Sequence, residues 1–261
     1  MKIFVASTGR CGTVFMADMF RQLTNIPSFH EPKPWCNGDF CYQVNNCVRF
    51  SKPVMKMIEE KVAQVKKDSV RGCYFESNQM FIKSYVNLML SRFKDVYCIY
   101  LYRNPVEVLL SYYNKCRERE TEWFLQSNWT KNILETKRKK SFYANILWQC
   151  DEIEERYLFY KERFIKTFQF DFRRINDPEE WKRLFKRFRI KYNDFDKLPI
   201  GLTNRIDADR RKTLDALIEN WDKPGKEIKK MKPELEKLSD SLNFARRMVA
   251  INEVEMYGCR M

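Results

Sequence analysis

Short apolar runs alternate with helical patterns along about the first 190 residues of the chain. The run at residues 96–102 is mostly β-branched, aromatic or otherwise apolar, which predicts a strand buried on both faces, and the short apolar run at 3–6 predicts another strand. Between these runs, apolar residues recur at three- and four-residue spacing, which predicts helices with one buried face. Strands of this kind are typical of a parallel sheet, so the pattern predicts an α/β protein. The same pattern predicts further strands after residue 25, at 72–78 and at 164–170, and further helices at 53–67, 80–93, 142–160 and from 178.

A loop of small residues with the sequence S-T-G-R-C-G-T follows the first apolar run, at residues 7–13, and leads into a helical pattern. Gly9 and Gly12 allow positive φ and close backbone approach, so that successive N–H groups can converge on one anion. The N-terminal dipole of the following helix points at the same place. The loop predicts a phosphate or sulfate site, and the alternative is a simple tight turn. It differs from a nucleotide-triphosphate P-loop because it lacks the lysine, and Arg10 is its only cation.

A second motif, R-N-P-x-x-x-x-x-S, follows the later buried strand. Asn104 suits the N-cap of a helix, Pro105 its first position, and Glu107 the place of a capping-box acid. This punctuation puts Arg103 at the carboxyl end of a strand, with Ser111 two turns along the helix. Ligands bind at that edge of open α/β sheets, so Arg103 and Ser111 can both bind a phosphate.

The two motifs together, in this order and each at a strand–helix junction, resemble the sulfotransferase family over about the first 190 residues. The resemblance implies a three-layer, P-loop NTPase-like fold with a central parallel sheet flanked by helices. It also implies transfer of a sulfuryl group from 3′-phosphoadenylyl sulfate to a hydroxyl of a small-molecule or glycan acceptor, with 3′-phosphoadenosine 5′-phosphate as product. The residues implied to bind the donor are Gly9, Arg10, Cys11, Gly12 and Thr13 at the 5′-phosphosulfate, and Arg103 and Ser111 at the 3′-phosphate.

The resemblance also indicates a catalytic base, because some sulfotransferases, tyrosylprotein sulfotransferases among them, have a glutamate just beyond the first helix. Glu31 stands there, and we expect it to take the acceptor proton while Arg10 stabilises charge on the phosphosulfate. His30, the only histidine of the chain, is the alternative base, since the cytosolic branch uses a histidine. Glu76, after the strand at 72–78, is a competing base. A plain surface loop around residue 31 is the remaining reading.

The segments around these candidates are expected to form the acceptor side. Proline-rich residues 32–53 predict a long irregular loop, which in a compact domain is usually functional. Ser77, Asn78 and Lys83 are further acceptor-site candidates, although Asn78 also suits a helix cap. Residues 117–140, dense in charge and aromatics, correspond to an acceptor segment or lid in the family.

The chain of 261 residues carries 49 Lys and Arg against 35 Asp and Glu, a formal charge of +14. This surplus favours polyanionic partners, either an anionic cofactor or nucleic acid. The charges are scattered along helices, so nucleic acid is not expected as the partner. A basic nucleic-acid-binding protein and a nucleotide-dependent phosphotransferase stay as alternative functions, and the missing P-loop lysine argues against the second.

Nine cysteines, an odd number without a C-x-x-C pair, predict reduced thiols and a cytoplasmic protein. No apolar stretch approaches the ~20 residues of a membrane span. Cys36, Cys41 and Cys47 near His30 lack the usual zinc spacing, and no metal is expected. Residues 1–261 are expected to form a single domain with a helical C-terminal part from about 206. There the family's R-K-G pattern is missing near Arg205, Arg210 and Arg211.

Overall fold

The computed structural model describes residues 1–46, 49–105, 107–108, 111–112, 142–193 and 195. Its described part contains one five-stranded sheet in the order β2-β3-β1-β4-β5, in which all neighbouring strands are parallel. The predicted parallel α/β sheet is thus confirmed. The strands are β1 (Lys2–Ala6), β2 (Ser28–His30), β3 (Tyr74–Ser77), β4 (Val96–Tyr102) and β5 (Thr167–Asp171).

Most of the helices lie where the periodicity of apolar residues predicts them. Pro178 takes the first position of the last described helix, and the Asp177 side chain caps it by accepting from the Glu179 N–H. The cap accepts from a free N–H at the start of the helix, and proline at the first position has no N–H to satisfy, as the sequence predicts. The helices are α1 (Thr13–Leu23), α2 (Asp39–Asn46), α3 (Lys52–Asp68), α4 (Val86–Arg92), α5 (Phe142–Tyr160) and α6 (Pro178–Phe188), and shorter helical turns are Phe81–Tyr85, Lys161–Arg163 and Phe172–Arg174.

Alternating side chains of the strands build two cores, one on each face of the sheet. Ile3 and Val5 of β1 pack with α1 and α6 around the buried Trp181. Phe4 and Ala6 point to the other face, where residues of α3, α4 and α5 cover them. Helices on both faces of a central sheet give the predicted three layers.

Strand order decides where the two motifs meet. β1 and β4 are neighbours, paired from Lys2↔Val96 to Ala6↔Tyr100. Since parallel strands end at the same edge, residues 7–13 after β1 and Arg103 after β4 emerge side by side. This carboxyl edge is where an α/β sheet binds ligands.

Two local elements differ from the sequence prediction. The loop expected at 32–53 contains α2, whose Phe40 and Cys41 side chains are buried, so tertiary packing supports a helix too short to show clear periodicity. The helix predicted over 80–93 begins with a π-helical turn, Phe81–Tyr85, before α4. Residues 117–140 and everything from 196 onward lie outside the described residues, including Arg205, Arg210 and Arg211.

Candidate active site

The loop between β1 and α1 has the left-handed backbone that its glycines allow. Gly9 has φ 87° and Gly12 has φ 84°, and Gly12 is the N-cap of α1. A Cβ at Gly9 would lie 2.6 Å from the Gln79 Oε1 and the Tyr112 hydroxyl oxygen. A Cβ at Gly12 would lie 2.7 Å from the Phe172 ring. Both positions therefore require glycine for backbone conformation and for space. We name residues 7–13 the anion loop.

Side chains from three elements hold the carbonyl groups of the anion loop. The Thr8 carbonyl accepts from the Lys83 Nζ at 2.8 Å and from the Tyr112 hydroxyl at 3.0 Å. The Arg10 carbonyl accepts from the Arg103 Nη1 at 2.7 Å. A trans peptide directs its N–H opposite to its C=O, so the Cys11 N–H points away from Arg103. With the open N–H groups at the start of α1, this N–H is available to an anion.

Cys11 and Thr13 are both buried parts of the anion loop. The Cys11 thiol is buried, lies 3.1 Å from the Thr8 Oγ1 and donates to the Gly9 carbonyl at 3.1 Å. Burial raises the pKa of the Cys11 thiol, which therefore stays neutral inside the loop. Thr13 is the buried first residue of α1. Their N–H groups, at a turn and at a helix start, are the kind that bind phosphate.

Arg103, the predicted arginine of the second motif, is fixed on three sides. Its Nε donates to the Glu107 Oε2 at 3.1 Å, and its guanidinium carbon lies 4.3 Å from the centre of the Phe172 ring. Its Nη1 binds the Arg10 carbonyl. Glu107, expected as a capping acid, thus contacts Arg103. None of these contacts uses Nη2, so one amino group of the fork is left to face an anion.

The two motifs meet directly through side chains as well. The Arg10 Nε donates to the Ser111 Oγ at 3.1 Å. Arg10, Arg103 and Ser111 therefore lie in one cluster, as expected for two motifs that bind one ligand. The Arg10 side chain extends toward Ser111, so it stands at the junction of the two motifs and not only at the first.

His30 is the last residue of β2 and Glu31 follows it, at the same edge of the sheet. The Glu31 N–H donates to the Ser77 carbonyl at 3.1 Å, and Glu31 has φ 45°. Its Oε1 accepts from the Gln79 Nε2 at 3.4 Å. Because Gln79 also lies against Gly9, Glu31 is connected to the anion loop through one side chain. The His30 Nδ1 lies 3.0 Å from the Ser77 carbonyl, which can only accept, so Nδ1 carries the proton in this arrangement.

Glu76, the competing base of the sequence prediction, is a buried structural carboxylate. Both of its oxygens accept from the Lys61 Nζ at 2.8 Å, and both side chains are fully buried. The Tyr74 and Tyr85 hydroxyls donate to it at 2.6 Å each. The Asn78 Nδ2 donates at 2.9 Å. Its lone pairs are occupied by four side chains of the core, so the geometry disfavours it as a base for a bound acceptor.

Of the other acceptor candidates, Asn78 and Lys83 have structural contacts, whereas Ser77 differs. The Asn78 Oδ1 accepts from the Met80 N–H at 2.9 Å, which is the capping role weighed as its alternative. Lys83 is buried and bound to the Thr8 carbonyl, and burial lowers its pKa to about 8. The Ser77 Oγ is buried without a hydrogen-bond partner among the described residues.

Three side chains of the site were not singled out from the sequence: Gln79, Tyr112 and Phe172. Gln79 comes two residues after β3, and Phe172 directly after β5. Tyr112 is adjacent to Ser111. The rule that ligands bind at the carboxyl ends of parallel strands could have found Gln79 and Phe172. Their roles as packing partners of Gly9 and Gly12 could not be read from the sequence.

Among the described residues, no group of three or more His, Cys, Asp and Glu side chains is arranged to hold a metal ion. Within the same ranges no helix is long and apolar enough to span a membrane. Cys36 and Cys41 are buried free thiols, and Cys47 lies outside the described residues.

The fold and the site define an α/β protein with a P-loop-like anion loop, completed by an arginine–serine pair from the next strand. The family model of the sulfotransferase domain matches residues 1–170 of the chain. The protein therefore belongs to the sulfotransferase family and is a transferase, as the two motifs predict. A crystal structure of a sulfotransferase from Alicyclobacillus acidocaldarius is similar to this chain at 15% identity and a TM-score of 0.42, over 82% of this chain and 90% of that one. No curated protein matches the sequence.

Proposed function

We propose that the protein transfers a sulfuryl group from 3′-phosphoadenylyl sulfate to a hydroxyl group of a small-molecule or glycan acceptor. The observation that supports this most directly is the contact between the motifs: the Arg103 Nη1 binds the Arg10 carbonyl, and the Arg10 Nε binds Ser111. A donor with a phosphosulfate at one end and a ribose phosphate at the other suits two joined anion sites. The chain's formal charge of +14 supports an anionic ligand.

The residues present fit such a donor. The N–H groups at Cys11, Gly12 and Thr13 and the start of α1 would bind the phosphosulfate. The Nη2 of Arg103 and the Ser111 hydroxyl would bind the 3′-phosphate. When bound, the donor supplies a sulfur–oxygen bond that breaks toward its phosphate while the sulfur bonds to the acceptor oxygen.

Glu31 is the proposed base. Its carboxylate would take the proton of the acceptor hydroxyl, so that the oxygen can attack with a free electron pair. Gln79 holds one carboxylate oxygen of Glu31, which leaves the other for the proton. His30 is the second candidate: with Nδ1 bound to the Ser77 carbonyl, its Nε2 is the nitrogen able to accept a proton. The bonds that hold Glu76 in the core support Glu31 or His30 over it.

The wider proposals concern partners and surroundings. We propose a single domain, with residues 32–53 on the acceptor side and no metal requirement, since the scheme uses only side chains and backbone. The six cysteines within the described ranges are free thiols, which supports a reducing compartment such as the cytoplasm. Nucleic acid is not the proposed partner, because Arg10 and Arg103 bind groups of the two motifs, the Ser111 hydroxyl and the Arg10 carbonyl.

The test begins with ligand binding. Calorimetry should show tighter binding of 3′-phosphoadenosine 5′-phosphate than of ATP, which lacks the 3′-phosphate. Loss of one charged hydrogen bond costs about 1.5–3 kcal/mol, so Arg103→Ala should weaken this binding roughly 10- to 150-fold. Arg163→Ala is the matched control, because Arg163 also lies over an aromatic ring, that of Tyr160, and donates to an amide oxygen, that of Asn87, but it precedes β5 at the opposite edge of the sheet.

Activity is tested with radiolabelled donor and a panel of phenols, sugars and tyrosine peptides. A product that gains about 80 Da, the mass of one sulfuryl group, supports the proposal. Tighter binding of ATP, with phosphate transfer, would favour a phosphotransferase. Salt-sensitive binding of DNA or RNA that survives Arg10→Ala and Arg103→Ala would favour a nucleic-acid-binding protein.

A further inference from the structure

Gln79 forms a bridge between the proposed base and a buried lysine. Its Nε2 donates to the Glu31 Oε1 at 3.4 Å, and its Oε1 accepts from the Lys83 Nζ at 2.9 Å. The Lys83 Nζ also donates to the Thr8 carbonyl at 2.8 Å. One continuous chain of hydrogen bonds therefore runs from the anion loop through Lys83 and Gln79 to Glu31.

The ammonium group of Lys83 fixes which way the amide of Gln79 faces. An ammonium has three donors and no acceptor, so only the amide oxygen can bind it. The amide nitrogen must then face Glu31 and donate to it. The carboxylate that receives this bond is favoured in its charged form, which is the form that can accept a proton.

The anion loop fixes where the amide lies. The Gln79 Oε1 would be 2.6 Å from a Cβ at Gly9, so the amide packs against the loop backbone at a residue that has no side chain. The Tyr112 hydroxyl oxygen would also lie 2.6 Å from that Cβ. Loop and amide thus hold each other in place, and the position of Glu31 depends on the loop that binds the anion.

We propose that Gln79 is a positioning residue, which Lys83 orients so that its amide group holds the Glu31 carboxylate charged and directed toward the anion loop. This inference rests on the proposed function of Glu31 as base. Gln79 itself does not take the proton. Gln79 instead influences the protonation of Glu31 and the direction in which the second oxygen of the Glu31 carboxylate faces.

Other titratable groups face this bridge and belong in any pH experiment. Burial lowers the pKa of Lys83 to about 8, so the ammonium persists at neutral pH and loses its proton on the alkaline side. A neutral amine can accept a hydrogen bond, and above that pH the amide would no longer have one forced orientation. The groups near Lys83 are Cys11, Glu31, Cys41, Cys150 and Arg156, and those near Glu31 are His30, Lys83 and Tyr112.

The decisive measurement is carbon-13 NMR titration of glutamate-labelled protein, with Glu31→Gln used to assign the Glu31 carboxyl signal. In Gln79→Leu the midpoint of this signal should rise, since the charged form loses a donor. Gln79→Glu should raise it further, because a second negative charge faces Glu31. An unchanged midpoint in both variants would overturn the proposal, whether or not the protein transfers sulfate.

Turnover supplies the second readout. The acidic limb of the kcat/KM profile should move to higher pH in Gln79→Leu by the same amount as the NMR midpoint. Gln64→Leu is the matched control, because Gln64 also bridges a lysine, Lys61 at 3.1 Å, and a carboxylate, Asp68 at 2.9 Å, at the amino edge of the sheet. A profile that moves equally in the control would contradict the proposal. Absence of sulfate transfer in every variant, wild type included, would instead contradict the proposed function.

Discussion

Replacing Glu76 by glutamine distinguishes a structural carboxylate from a catalytic one. Glu76 and Lys61 are fully buried and paired at 2.8 Å, and the tyrosine hydroxyls of Tyr74 and Tyr85 donate to the same carboxylate. An amide in its place directs two N–H donors at groups that are themselves donors. It also leaves the Lys61 ammonium without a counter-ion in the core.

The expected loss of stability is large. Breaking a buried ion pair by removing one partner costs about 3–5 kcal/mol. For a chain of this size, 1 kcal/mol corresponds to roughly 2–4 °C in Tm, so Glu76→Gln should lower Tm by at least about 6 °C. Adding Lys61→Met should recover part of this loss, because the uncompensated charge is then gone.

The assay measures Tm and turnover on the same samples. Turnover is measured at 15 °C, where the variant remains folded, and Glu76→Gln should keep kcat within about 3-fold of wild type. Glu31→Gln should show the opposite: a Tm within about 1 °C of wild type, and a kcat lower by about 10²–10⁴. If Glu76→Gln melted normally and lost turnover, the reasoning that places Glu76 in the core network alone would be refuted.

Three further predictions concern the anion loop and its supports. Gly12→Ala should lower the free energy of unfolding by more than the ~1–2 kcal/mol that a left-handed alanine costs, because its Cβ would lie 2.7 Å from the Phe172 ring. Gly72→Ala is the control in urea unfolding: it has the same left-handed backbone, with φ 75°, but nothing within 4 Å of its Cβ, so the difference between the two variants measures the clash. Phe172→Leu should weaken binding of 3′-phosphoadenosine 5′-phosphate by up to about 30-fold through loss of the ~0.5–2 kcal/mol stacking on Arg103, and unchanged calorimetry would show that the ring does not support that arginine. The pKa of Lys83 is lowered to about 8 in the folded chain against 10.5 in the unfolded one, so the unfolded state binds more protons between these pH values. The free energy of unfolding of wild type should therefore rise by about 3 kcal/mol relative to that of Lys83→Met from pH 8 to 10.5. A difference in unfolding free energy that does not change with pH would contradict this.

The sheet and its two motifs could be predicted because the local sequence determines them. A continuous apolar run followed by Gly9 or by Asn104 and Pro105 fixes both the strand and its end. Asp177 marks the start of α6 with equal clarity. Strand neighbours follow from the expected fold, and they bring Arg10, Arg103 and Ser111 together.

The rest depends on contacts between distant segments. The pair of Lys61 and Glu76 joins α3 to β3, and no periodicity indicates that these two charges face each other in a core. The π-helical turn Phe81–Tyr85 has no composition that distinguishes it from an α-helix. Gln79 becomes important only because Gly9 leaves room for its amide. Sequence patterns report on residues that are close along the chain, whereas these features depend on contacts between residues that are distant along it.

The hydrogen bond from Arg103 to the Arg10 carbonyl has a thermodynamic consequence. In the proposed site the Arg103 guanidinium, which binds the Arg10 carbonyl, would also bind the 3′-phosphate, so filling either subsite should rigidify the other and reduce the entropy still to be lost there. By linkage, each half of the donor must then strengthen the other by the same factor. Adenosine 3′-monophosphate and inorganic pyrophosphate, two fragments that each fill one end, would bind cooperatively, and the intact donor would gain more than the sum of its parts.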